Sequence, residues 1–368
     1  MAALILGATS LLLPVAATAA APSAAPSPLP GPDANPLPAP LGVASGILVD
    51  PTNGKVLWSQ DDTVARAPAS LTKIATALTV LRRANVGAVG TVTNDAVNVG
   101  GSELGPPAGT TMTVGDMLWG LLMVSGNDMA LALAHTLSPD GTVAGFVGLM
   151  NSDAATAGAT GSTFVNPHGL DAPGHQSTAR DLALLTMEAM RYPLFAQIVA
   201  TRQHVLVWGG GAHLLTNHNK MLAQFPGTIG VKTGYTSESG SALVSEVTRD
   251  GQTLLAVVLG AHTPAGYKDS EALYNWGFTN LGTLEAQATD TITPTPLPAI
   301  PLPRPAAAPA RAAVNPGQAD AATPSRPVPA AQPVGHPTGT LDDVLLAALA
   351  ISFLAAMVVT RRAGAEVG

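Results

Sequence analysis

The sequence predicts an α+β fold, a five-stranded antiparallel sheet flanked by helices, with strands drawn from both ends of one domain and a mostly helical insertion between them. Three observations carry this. β-type runs occur at Gly46–Asp50 and Lys55–Gln60, then again at Ile229–Thr236, Ser241–Thr248 and Thr253–Gly260. Between the two groups the apolar pattern changes to a helical period. Tight-turn residues join neighbouring runs, as an antiparallel arrangement requires.

Taken in order, the first two runs flank Pro51-Thr52-Asn53-Gly54, whose Asn-Gly supplies the positive φ of a tight hairpin. Pro68 suits a first helical position, and Leu71, Ile74, Leu78 and Leu81 then recur at three- and four-residue steps before Arg82 and Arg83, cations favoured at a helix C-terminus. Thr113 with Asp116 forms a capping-box pattern ahead of Met117–Met123, and a second apolar stretch, Met129–Leu137, follows a short break. The last two strands meet at Arg249-Asp250-Gly251, and Ser270–Leu281 reads as a closing helix.

Composition separates this domain from its flanks. The 368 residues are 46% hydrophobic but only 11% charged, which fits a mixture better than one soluble domain. Of 32 prolines, eight fall in Pro22–Pro40 and thirteen in Pro294–Pro337. Such Pro/Ala-rich stretches have too little apolar side chain to offset the entropy of ordering, so residues 22–40 and 286–343 read as linkers around a folded domain at 41–285. Residues 1–21 read as a signal peptide: Ala2–Val15 is apolar and Ala17-Thr18-Ala19 resembles a cleavage site. The first Lys or Arg is Lys55, so the usual positive n-region is missing, which leaves open a start upstream of Met1. Residues 344–360 carry no charge and lie between Asp342-Asp343 and Arg361-Arg362, the pattern of a single C-terminal transmembrane helix. By the positive-inside rule residues 361–368 are a cytoplasmic tail, and the folded domain is extracytoplasmic, on the periplasmic or cell-wall side of the membrane.

Several function classes are excluded at this stage. No cysteine is present, which removes disulfide scaffolds, thiol catalysis and Cys-ligated metals, and a net charge of −7 gives no footprint for nucleic acid. No phosphate loop or cofactor motif occurs. His168 and His175 share one loop and His213 and His218 another, so a zinc peptidase is conceivable, but neither pair has an accompanying carboxylate motif. Surface or loop-packing roles are the simpler reading, and no metal or other cofactor is expected.

The chemistry concentrates in three short motifs. Ser70-Leu71-Thr72-Lys73 places a hydroxyl and an amine three residues apart, on one helix face. Serine needs an adjacent base to become a nucleophile, and a desolvated lysine can be that base. Alone the motif is weak, since an N-cap serine with a solvated lysine matches equally. Val124-Ser125-Gly126-Asn127 falls at the helix break, where Ser125 and Asn127 can turn inward over a cleft as proton relay and substrate-positioning amide. Lys232-Thr233-Gly234 falls on a strand, where the first two can bind a carboxylate and Gly234 permits close backbone approach. Only five lysines occur, Lys55, Lys73, Lys220, Lys232 and Lys268, and two of them occupy these motifs.

The ordered triplet resembles the penicillin-binding protein and serine β-lactamase superfamily. The likeness runs through roughly Leu41–Gly282, and Asn166-Pro167-His168-Gly169-Leu170, Ser177-Thr178-Ala179-Arg180-Asp181 and Thr216-Asn217-His218-Asn219 narrow it to the low-molecular-mass D-alanyl-D-alanine carboxypeptidases. The resemblance implies a β-lactamase/DD-peptidase-like fold and a peptidoglycan stem peptide ending in D-Ala-D-Ala as substrate. Ser70 would attack the carbonyl between the two D-alanines, Lys73 would take its proton, and Ser125 would pass a proton to the leaving amine. Asn127 would hold the donor peptide. Lys232 and Thr233 would bind the terminal carboxylate beside Gly234, with the backbone N–H groups of Ser70 and Tyr235 as oxyanion hole. A further basic residue there could be Lys268 or His218, each of which also fits a solvated role. β-Lactam antibiotics would be covalent inhibitors. No Glu-x-x-Leu-Asn segment occurs, which disfavours fast β-lactam hydrolysis. The alternatives are a D,D-endopeptidase or weak β-lactamase on the same site, or a non-catalytic wall-sensing module.

Overall fold

The computed structural model describes residues 40–262 and 265–298 together with residues 37 and 300. The signal peptide at 1–21, nearly all of the 22–40 linker, the 344–360 span and the 361–368 tail lie outside the described residues. Among the described residues no helix is long and apolar enough to cross a membrane.

β1 (Ser45–Val49) and β2 (Val56–Gln60) form the expected antiparallel hairpin, with Gly54 at φ +76°. A 3₁₀ turn at Ala69–Leu71 leads into α1 (Thr72–Arg83). Helical structure therefore begins with a tighter turn than Pro68 alone implied. Ala69 stands at φ +48°, in the left-handed region, and the regular helix starts only after it. A short pair, β3 (Val89–Thr91) and β4 (Thr111–Thr113), precedes α2 (Val114–Met123), α3 (Asn127–Leu137), α4 (Val143–Ala157), α5 (Ala179–Met190) and α6 (Pro193–Ala200). Thr113 caps α2 as its spacing predicted, its hydroxyl accepting from Asp116 N at 3.0 Å, and Thr142 and Thr178 cap α4 and α5 in the same way. A second hairpin, β5 (Gln203–Trp208) with β6 (Gly211–Thr216), and the single turn α7 (Met221–Gln224) then lead to β7 (Thr228–Thr236), β8 (Gly240–Arg249) and β9 (Gln252–Ala261). The chain closes with α8 (Ala265–Thr279) and α9 (Leu281–Gln287).

The five long strands lie in the order β2-β1-β9-β8-β7, every neighbouring pair antiparallel. This is the predicted sheet. Because side chains alternate along a strand, its two faces build two cores. Ile47, Val49, Val244, Leu255, Val257 and Leu259 pack with the helices of the insertion, whereas Leu48, Val247, Leu254 and Val258 pack against Leu273, Tyr274 and Trp276 of α8. Tyr274 is fully buried, and its hydroxyl donates to Ser245 O at 2.5 Å and accepts from Ala256 N at 3.1 Å. One sheet thus has a core on each face, with the helical layer of the insertion on one and α8 on the other.

The boundary drawn at residue 285 is too early. α9 runs to Gln287, and the chain then crosses the domain as an extended strap: Val56 N donates to Asp290 O, Ile292 N to Gly54 O, Thr295 N to Ala157 O, and Leu297 N to Glu188 Oε1. Arg180 pairs with Asp290, and Ile292 and Leu297 are buried. Proline-rich composition concealed these two anchors.

Candidate active site

Three elements converge on one cleft: the 3₁₀ turn and start of α1, the break between α2 and α3, and the middle of β7. The turn delivers Ser70 and the first turn of α1 delivers Lys73, whose Nζ donates to Ser70 Oγ at 3.0 Å. Lys73 is completely buried, and the same nitrogen donates to Asn127 Oδ1 and to the carbonyl of His168, both at 2.6 Å. Burial foremost, then the nearby charge of Lys232, hold its pKa well below the ordinary lysine value, with Asp128 opposing. The amine therefore lies within hydrogen-bond reach of the Ser70 hydroxyl, in surroundings that disfavour its charged form.

Ser125 occupies the helix break at φ +63°, a strained left-handed conformation for a side-chain-bearing residue. There its Oγ accepts from Lys232 Nζ at 3.0 Å, and Lys232 also donates to the carbonyl of Thr233 at 2.9 Å. Burial lowers the Lys232 pKa to about 7. The two buried lysines each carry a serine hydroxyl that lines the cleft, Lys73 with Ser70 and Lys232 with Ser125.

The cleft of about 340 Å³ is lined by Ser70, Ser125, Thr233, Gly234 and Tyr235 among others. Tyr235 is 72% exposed beside it. Gly234 has a different immediate reason from the one its motif suggested. A Cβ there would lie 3.1 Å from Ala69 Cβ and 3.2 Å from Ser70 N, so glycine lets β7 approach the nucleophile turn itself. Asn127 is buried behind the cleft. Its Oδ1 faces Lys73 and its Nδ2 donates to Gly100 O at 2.7 Å, so in this state it orders the lysine and the facing loop. Of the two basic candidates at the carboxylate end, Lys268 is exposed and does not line the cleft, whereas His218 lines it beside Tyr267. Burial, Lys232 and Lys73 together lower the His218 pKa.

Sequence reasoning put His168 and His175 in one loop but gave that loop no position beside the site. Residues 163–176 return to α1: Thr76 Oγ1 donates to Pro167 O at 2.6 Å, and Gly169 packs so tightly that a Cβ there would come within 1.9 Å of Ala69 O. Asp128 went unremarked. Its carboxylate accepts from Leu104 N and Gly105 N, fixing the loop above the cleft. The signals were short, Asn-Pro-His-Gly-Leu and Ser-Gly-Asn-Asp, with no periodicity to give them a place. Among the described residues no three metal-ligating side chains converge.

Residues 36–263 match the family described as D-alanyl-D-alanine carboxypeptidase. A D-alanyl-D-alanine carboxypeptidase of Mycobacterium tuberculosis is 39% identical over 241 residues, covering 63% of this chain and 81% of that protein. One of Bacillus subtilis is 34% identical over 226 residues, covering 60% of this chain but only 58% of the relative's own length. Among solved structures, a Streptomyces DD-transpeptidase superposes with a TM-score of 0.63 at 29% identity, covering 66% of this chain and 98% of the other. A penicillin-binding protein homologue of Mycobacterium tuberculosis gives 0.66 at 33% identity, covering 71% and 99%.

Proposed function

The chain belongs to the D-alanyl-D-alanine carboxypeptidase family of serine peptidases, and from that premise we propose that it removes the terminal D-alanine of peptidoglycan stem pentapeptides through an acyl-enzyme on Ser70. The observation that carries this is the buried Lys73 amine, 3.0 Å from the Ser70 hydroxyl and held toward its neutral form. Neutral Lys73 takes the Ser70 proton as Oγ attacks the scissile carbonyl. Ser125, hydrogen-bonded to Lys232, returns a proton to the departing D-alanine amine. Lys232 and Thr233 receive the terminal carboxylate, and the N–H groups of Ser70 and Tyr235 receive the oxyanion. Each such preorganised donor typically contributes ~10²-fold or more in rate. Water then releases the shortened peptide, and β-lactams acylate the same serine.

The termini extend the proposal. The N-terminal signal-peptide pattern, Pro/Ala-rich linkers and the uncharged 344–360 stretch support a secreted catalytic domain tethered by a C-terminal helix. Incubation with fluorescent penicillin tests the nucleophile. Wild-type protein should be labelled covalently and Ser70→Ala should not; equal labelling of both refutes the assignment.

A further inference from the structure

His175 lies outside the motifs and lines a separate groove, yet both of its ring nitrogens are engaged inside the protein. It is 5% exposed. Nδ1 accepts from Val165 N at 2.9 Å, so the proton sits on Nε2, which donates to Thr72 Oγ1 at 2.8 Å. Thr72 Oγ1 in turn donates to the carbonyl of Ala69 at 2.8 Å. Each donor and acceptor in this chain has one assignment only. Burial, against the opposing charge of Asp171, keeps the ring neutral by lowering its pKa to about 4.

The end of the chain is what matters. The carbonyl of Ala69 and the N–H of Ser70 belong to one planar peptide unit and point in opposite directions, so holding the oxygen fixes the direction of the N–H. That N–H is one of the two oxyanion donors proposed above. The unit needs holding, because Ala69 is a non-glycine residue at φ +48°, a conformation that persists only when its surroundings over-determine it. Gly169 presses on the same carbonyl from the loop side and Gly234 flanks Ser70 N from β7.

We propose that His175 is a positioning residue for catalysis, which orients the Ser70 N–H of the oxyanion hole through Thr72 and the Ala69 carbonyl. The proposal rests on Ser70 being the nucleophile. Its role is distinct from packing of the 163–176 loop, which uses the other ring nitrogen.

The two nitrogens can be separated. In His175→Asn the amide oxygen overlays Nδ1 and keeps the Val165 bond while losing Thr72; in His175→Gln the amide nitrogen overlays Nε2 and keeps Thr72 while losing Val165. Stopped-flow acylation of the full chain by benzylpenicillin, resolved into initial affinity and acylation rate constant, reads the outcome. His175→Asn and Thr72→Val should each lower the acylation rate constant about tenfold at unchanged initial affinity, a fraction of the loss seen when an oxyanion donor is removed outright. His175→Gln should restore most of that rate. The proposal is overturned if Thr72→Val acylates within about twofold of wild type, or if His175→Gln falls as far as His175→Asn. Ser70→Ala, run alongside, reports separately on the nucleophile: acylation of that variant would refute the underlying reading, whatever the histidine variants do.

Discussion

At Lys73 the question is where the proton rests. An ordinary lysine is neutral only above about pH 10, whereas burial and the charge of Lys232 hold the Lys73 pKa well below that value. The base form lies above the pKa, so the acylation rate should rise with pH, level off well below pH 10, and collapse in Lys73→Ala by roughly 10³-fold or more, in line with loss of a general base. Lys232 works in the opposite sense. It is charged below about pH 7, so the KM for a peptide bearing a free C-terminal carboxylate should climb above that pH. Lys232→Ala should raise KM about tenfold or more, the scale of a lost charge-assisted hydrogen bond. A peptide pH–rate series on wild type and both variants separates the two lysines; a KM indifferent to pH above 7 would remove Lys232 from carboxylate binding. These residues were readable in advance because Ser70 and Lys73 are joined by local helical spacing. The return of His168 O and His175 to α1 was not readable, since it depends on a non-periodic loop crossing about a hundred residues of sequence.

Secondary elements set the precision of the site. The five long strands, α1 and the α2–α3 break all stood in the sequence as period, turn and cap signals, with Thr113 and Asp116 the plainest. The β5–β6 hairpin did not, because its exposed face carries Val205, Val207 and Leu214 and so lacks the apolar/polar alternation that marks a half-buried strand. The loop at 163–176 yields two predictions. Gly169 has φ +93° and no room for a Cβ against Ala69 O, so Gly169→Ala should lower stability by about 1–3 kcal/mol and slow acylation together, measured by thermal melting and penicillin trapping. The histidines give the second. His168 and His175 both have folded pKa values near 4, below the ordinary 6.5. A depressed pKa means the unfolded chain binds the proton first, so this part of stability is present above pH 6.5 and is lost as pH falls toward 4. The melting temperature should decline across that window, and less steeply in His175→Gln; identical slopes would show that His175 is not the titrating group.

For the whole molecule, the composition divides between a domain and its attachments, and one division moved. Residues 286–298 have the proline content of a linker but behave as part of the domain, pinned by Ile292, Leu297 and the Arg180–Asp290 pair. Two buried aliphatic side chains at about 1.5–3 kcal/mol each make the strap a substantial contributor. Ending the chain after Ile300 should leave the melting temperature within a degree or two of the full chain, whereas ending it after Gln287 should lower it by about 5 °C or more; equal melting of both would show the strap to be ornamental. Among the described residues, Lys73 and Lys232 are each buried and each hydrogen-bonded to a serine hydroxyl that lines one cleft, Ser70 and Ser125. The most direct test of that account is release of free D-alanine from a soluble peptide ending in D-Ala-D-Ala. Wild-type protein should release it with multiple turnovers and Ser70→Ala should release none, while absence of turnover by the wild type, or equal turnover by the variant, would contradict the account.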